Sequence, residues 1–246
     1  MFLIPEERMK NTGHPGLPAK SKLVSCILKA VVIVSATAGI LLSAGAGRRA
    51  FMGGSRVFMY YTIQSNIAIA AVCLIGAVLM MRGRPVPNRW YTVKFVGTVA
   101  ITLTGVVYCT MLAPLLGDSA WRLNNVLTHV VVPLAAILDL FVTGAGGSIP
   151  RRSVFLVTIP PAAYAIYAAI GYIAGWQFSD GANYPYFFLN WGSPVGAFGF
   201  TKELPFMGCV WWILVIFLFL IAIGYIYLLI LDRIRAHSQV RAGFQP

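Results

Sequence analysis

His129 stands in the apolar run Thr128-His129-Val130-Val131-Val132-Pro133. The chain's other two histidines, His14 and His237, lie in its polar tails. An ionisable side chain inside a membrane helix costs about 3 kcal/mol on insertion scales, so it marks a functional site by default. An imidazole beside a hydroxyl is the base–nucleophile pair of covalent hydrolysis. The imidazole takes the hydroxyl proton, and the oxygen attacks an acyl carbonyl. Thr62, Ser65 and Asn66 are spaced i, i+3, i+4 and share one helix face, while Gln64 points elsewhere. Asn125 and His129 are spaced i, i+4, so Asn125 can hold the ring in one tautomer. Asn66, Asn125 or a backbone N–H freed near Pro133 can donate to an oxyanion. Ser65 competes with Thr62 for the nucleophile's role, because a threonine β-methyl crowds the attack.

Such a pair needs helices to hold it. The chain is 59% hydrophobic and only 11% charged, against roughly 25% charged in a soluble domain. That leaves too little polar surface for a globule in water. The fold expected is all-α: a polytopic membrane protein, one bundle of six transmembrane helices with a long aromatic-rich outer loop. Apolar segments near 23–44, 57–80, 95–116, 124–144, 154–175 and 206–231 each meet the roughly 20-residue spanning length. The organisation expected is an N-terminal tail over 1–22, the transmembrane domain over 23–231 and a C-terminal tail over 232–246. The N-terminus carries Glu6, Glu7 and three prolines ahead of the first apolar run, which argues for a membrane anchor and against a cleaved signal peptide.

Lys and Arg divide unevenly between the two sides. Arg8, Lys10, Lys20, Lys22, Arg82, Arg84, Arg89, Lys94, Arg151, Arg152, Arg233, Arg235 and Arg241 fall on one, and Arg48, Arg49, Arg56, Arg122 and Lys202 on the other. The positive-inside rule then puts both termini in the cytoplasm. Thr62 and His129 enter from the same outer side and share a depth of about 7 Å at 1.5 Å per residue. The outer loop 176–205 is rich in Gly, Pro and aromatics, too apolar for a solvated linker. It is expected to cap the bundle, with Tyr184, Tyr186, Asn190 and Trp191 as lid residues. Pro133 cannot donate to the carbonyl at 129, so a kink is expected there.

The net charge of +12 comes from residues scattered between apolar segments, with no nucleic-acid motif, so the basic groups face anionic membrane lipids and no nucleic acid. Cys26, Cys73, Cys109 and Cys209 all fall in apolar segments, without zinc or disulfide spacing. No metal and no cofactor is expected, since a bis-histidine haem needs a second buried histidine. Asp139 is about 15 Å deeper than His129, too far to orient it. Lys29 lies at a similar depth and is the expected partner of Asp139, as a structural pair. Two other readings compete. Ser, Thr, Asn and His often join membrane helices as simple glue, and the same polar face would suit a small transporter or lipid-binding protein. The spans do not pair up as the broken-helix repeats of transporters.

Three motifs carry a resemblance: Tyr61-Thr62-Ile63-Gln64-Ser65-Asn66, then Asn125-x3-His129-x3-Pro133-x5-Asp139, then Tyr184-Pro185-Tyr186-Phe187-Phe188-Leu189. In order and spacing, over helices 2 to 6, they resemble the androgen-induced-gene family of six-helix membrane hydrolases and its bacterial relatives. That family includes the androgen-dependent regulator of tissue factor pathway inhibitor. The resemblance implies a metal-independent membrane hydrolase with a threonine nucleophile, falling on Thr62, and a histidine, falling on His129. Animal members cleave fatty acid esters of hydroxy fatty acids, so the partner implied is a lipid or fatty-acyl ester. Two departures stand out. The proline follows the histidine by four residues here and by five in animal members, and Asn190 stands where an acid is usual. The location expected is a bacterial inner membrane. The oligomeric state is not legible in the sequence.

Overall fold

A computed structural model describes residues 18–46, 54–84, 86–144 and 146–243. The expectations for the tail before residue 18, including Arg8, Lys10 and His14, lie outside the described residues, as do Arg48 and Arg49. Six helices are long and apolar enough to cross a membrane: α1 (Ala19–Gly45), α2 (Tyr61–Met81), α3 (Asn88–Trp121), α4 (Leu123–Gly144), α5 (Ser153–Ile173) and α6 (Cys209–His237). Among the described residues there is no strand beyond two isolated bridges in the loop between α5 and α6. The chain is an all-α polytopic membrane protein.

The helices alternate in direction, so the start of α1 and the end of α6 lie at one end of the bundle. The α5–α6 loop lies at the other, here called the cap end. α4 sits between α1 and α3. Val32, Ala36, Ile69, Ile101, Val132 and Ala136 join α1 to α4 through one apolar cluster. A second cluster, with Phe95, Val99, Leu140, Val157, Leu220 and Leu231, ties α3 and α4 to α5 and α6. The outward faces carry exposed Leu, Ile, Val and Phe, such as Leu41, Ile75, Leu134 and Leu218, the surface a helix offers to lipid rather than water.

Several boundaries differ from the sequence reading, three of them near the site or the buried charges. α3 begins at Asn88, ahead of the expected 95, which draws Lys94 out of the loop and into the bundle. The lysine spends its charge there, so the hydropathy edge misplaced it. The second span begins at Tyr61, after a 3₁₀ turn over Gly54–Met59. Tyr60 between them is extended, with φ −89° and ψ 140°, because its ring is held at the cap by Phe178 and Tyr186. Thr62 is therefore in the first turn of α2, shallower in its helix than expected. α6 starts at Cys209, three residues later than read.

The expected Lys29–Asp139 pair is present, with Lys29 Nζ 2.8 and 2.9 Å from the two carboxylate oxygens. It is not a pair alone. Lys94 Nζ lies 2.5 Å from Asp139 Oδ2 and also donates to Thr143 Oγ1, and Ser25 donates to Asp139. All three ionisable groups are at most 2% exposed. This staple joins α1, α3 and α4 toward the end opposite the cap.

Candidate active site

Two prolines shape the helices around His129. In α4 the turn Leu127–Val131 is a π-helix, with the Val132 N–H reaching back to the Leu127 carbonyl. In α3 the turn Tyr108–Leu112 is also π, closed by the Ala113 N–H on the Tyr108 carbonyl. Each π turn ends two residues before a proline, Pro133 and Pro114. A proline removes one N–H from the α ladder, and the i→i+5 register absorbs the defect. The disturbance expected at Pro133 takes the form of this widened turn. The two π turns meet: the Tyr108 ring stacks on the His129 ring at 3.7 Å and 19°. Gly105 makes the approach possible, since a Cβ there would stand 2.9 Å from the His129 carbonyl oxygen and 3.2 Å from Pro133.

The ring's hydrogen bonds decide its tautomer. Nδ1 lies 3.0 Å from the Asn125 carbonyl oxygen, which can only accept. Nδ1 therefore carries the proton, and Nε2 presents its lone pair. Thr128 Oγ1 is also 3.0 Å from Nδ1, but its own hydrogen goes to the Asn124 carbonyl. Nε2 faces Thr62 Oγ1 at 3.3 Å. Thr62 and His129, 67 residues apart, are thus joined through the nitrogen that can take a proton. The distance is at the long end for a hydrogen bond. His129 itself is 8% exposed.

Thr62 lines a narrow apolar cleft with a free volume of about 50 Å³. Its walls come from α3 (Leu103, Val107, Leu112), α5 (Pro161, Tyr164, Ala165), α6 (Ile213, Ile216, Phe217) and the cap (Tyr186, Phe188, Leu189). No charged residue lines it. His129 is not on its wall; it stands behind the threonine. The cap closes over the cleft through ring contacts: Tyr186 stacks on Phe188 at 5.0 Å, and Phe188 meets Trp212 at 6.1 Å. The Tyr60 hydroxyl donates to the Phe178 carbonyl, and Arg56 pairs with Asp180 at 2.5 Å.

The other sequence candidates fare differently. Ser65 is buried, donates to the Thr62 carbonyl and shares a hydrogen bond with Thr104 Oγ1 at 2.8 Å, so its hydroxyl serves the α2–α3 contact. Asn66 Nδ2 donates to the Thr62 and Thr128 carbonyls, which spends both of its N–H groups and leaves none for an oxyanion. Asn125 does orient the imidazole, but with its backbone carbonyl; its side chain bonds Ser119 and Asn124 instead. Tyr184, Asn190 and Trp191 do not line the cleft, and Asn190 accepts from the Gly192 N–H. Tyr186 does line it, and its hydroxyl accepts from the Thr62 backbone N–H at 3.4 Å. Sequence reasoning placed Tyr186 in the lid and missed that it reaches Thr62. Sequence reasoning did not place Tyr108 at the site; an aromatic six residues before Pro114 was the available signal.

No protein-family model, curated protein or solved structure matches the chain. Among the described residues, no group of three or more His, Cys, Asp or Glu is placed to hold a metal ion.

Proposed function

We propose that this protein is an integral-membrane esterase that cleaves a lipid ester with Thr62 as nucleophile and His129 as general base, then acid. The observation that carries the reading is the Thr62 Oγ1–His129 Nε2 contact at 3.3 Å, with Nδ1 bound to a carbonyl and the threonine facing an apolar cleft. In the first half-reaction the Thr62 proton passes to Nε2, and Oγ1 bonds to the acyl carbon. The carbonyl electron pair moves to oxygen and then returns, and the alcohol leaves with the proton from Nε2. In the second half, water gives a proton to Nε2 and attacks the acyl-threonine; the acid is released as Nε2 returns the proton to Thr62 Oγ1. No step calls on a metal or cofactor.

A fatty-acyl chain suits the cleft, whose walls are aliphatic and aromatic. An ester of a fatty acid with a hydroxy fatty acid, the substrate implied by the resemblance to the androgen-induced-gene family, would keep its carboxylate outside, since no cation lines the walls. The cap end would face the periplasm, with both termini cytoplasmic in a bacterial inner membrane; the Lys/Arg bias supports this and survives removal of Lys94 from the loops. A conduit fits less well. Below the cleft, Phe95, Val99 and Leu220 pack in a buried cluster, which makes the cavity blind at its inner end.

The test is hydrolysis of a long-chain p-nitrophenyl ester by the purified protein in detergent. Thr62→Ala and His129→Ala should each lower turnover by about 10²–10⁴-fold with the fold retained by circular dichroism. Full turnover in both variants sinks the proposal.

A further inference from the structure

Acyl transfer at Thr62 needs a hydrogen-bond donor where negative charge gathers on the former carbonyl oxygen. Asn66 is not free to supply it, as both its N–H groups are spent on carbonyls, and Asn125 directs its amide to Ser119. Tyr186 is placed differently. It comes from the cap, lines the same cleft as Thr62 and carries its hydroxyl to the nucleophile's own backbone. The Thr62 N–H lies in the first turn of α2, where the helix offers it no carbonyl. It donates to the phenol oxygen at 3.4 Å. An accepted hydrogen bond polarises the phenol and makes its O–H a better donor. The ring is held by stacking on Phe188 at 5.0 Å and by edge contact with Tyr60 at 5.8 Å. Burial raises the Tyr186 phenol above its ordinary range, partly offset by its contacts with Thr62, so it keeps its proton at neutral pH.

We propose that the Tyr186 hydroxyl is the oxyanion donor of this site, a catalytic group delivered by the cap to the nucleophile. This rests on the esterase reading above and adds the group that stabilises the tetrahedral intermediate. As Thr62 Oγ1 bonds to the acyl carbon and the carbonyl pair moves onto oxygen, the phenol O–H donates to that oxygen. It keeps its proton throughout and releases the oxygen when the carbonyl re-forms. The cap thereby couples closure to chemistry: with the cap displaced, the threonine and histidine remain, but the oxyanion has no partner.

The experiment compares Tyr186→Phe with the natural protein on p-nitrophenyl palmitate, and measures binding of a long-chain alkyl trifluoromethyl ketone. Such a ketone adds to a nucleophile and forms the oxyanion. A long-chain alkyl ether, which cannot, serves as control. Tyr186→Phe keeps the ring that packs on Phe188 and loses only the hydroxyl. The expected result is a kcat lower by about 10²–10³-fold, KM within about twofold, ketone affinity lost by a similar factor, and ether binding unchanged. A merely structural tyrosine would move ether binding and KM as well, and that outcome overturns the proposal. Natural kcat in Tyr186→Phe while Thr62→Ala is inactive overturns the oxyanion assignment and leaves the esterase reading standing. Full activity in Thr62→Ala overturns both. Should Tyr186→Phe fail to fold, 3-fluorotyrosine at position 186 keeps the shape with a more acidic hydroxyl. It should bind the ketone more tightly, and unchanged binding there refutes the assignment.

Discussion

Removing Asp139 tests the reading of the buried staple most severely. Its carboxylate accepts two contacts from Lys29, one from Lys94 and one from Ser25, at 0% exposure. In Asp139→Ala, two ammonium groups face one another with no anion between them, in a medium that screens poorly. Breaking a buried ion pair costs about 3–5 kcal/mol, and a second stranded cation places Asp139→Ala at the upper end of that range. Lys94→Met should behave oppositely. It removes the surplus charge, keeps most of the side chain's volume and leaves a closed Lys29–Asp139–Ser25 group, so its cost is about 1 kcal/mol or less. Pairing Asp139→Ala with Lys29→Met still strands Lys94, so this double variant remains unstable. Adding Lys94→Met to it restores stability. The assay is reversible unfolding in mixed micelles of rising SDS fraction, followed by tryptophan fluorescence. If Lys94→Met costs as much as Asp139→Ala, or the first double variant recovers natural stability, the three-residue account fails.

The site makes its own predictions. A fluorophosphonate probe should label the natural protein and Ser65→Ala alike but not Thr62→Ala, since Ser65 is committed to Thr104; mass spectrometry of the labelled peptide decides, and adduct on residue 65 refutes the choice. Gly105→Ala puts a methyl 2.9 Å from the His129 carbonyl, an overpacking that costs about 1–3 kcal/mol. It also shifts the imidazole from Thr62, and a displacement near 1 Å lowers turnover by about 10²-fold. Natural turnover in a folded Gly105→Ala would show that the contact between the π turns does not position the ring.

The spans were legible because crossing a membrane is a local matter: about 20 apolar residues suffice, whatever surrounds them. The loop over 176–205 was legible for a related reason, being too apolar for water and too broken by Gly and Pro for a helix. Thr62 and His129 could be matched in depth by counting residues from the loops. Lys94 could not be placed that way, because its burial depends on Asp139, 45 residues further on. Pro133 was seen to disturb α4, but the π turn that results packs against Gly105 and Tyr108 across the α3–α4 contact, which no local pattern foretells.

What this sequence determined by itself is the set of spans, their shared ends and the residue types that could carry chemistry. Each follows from short-range transfer energies and from the fixed rise of a helix. Tertiary structure alone decided which atoms meet. Asn125 orients His129 by its backbone oxygen, Asn66 gives its amide to two carbonyls, and Tyr186 arrives from a loop 124 positions away from Thr62. Those partnerships depend on how far each helix is rotated about its own axis, and packing against all the neighbours at once sets that rotation.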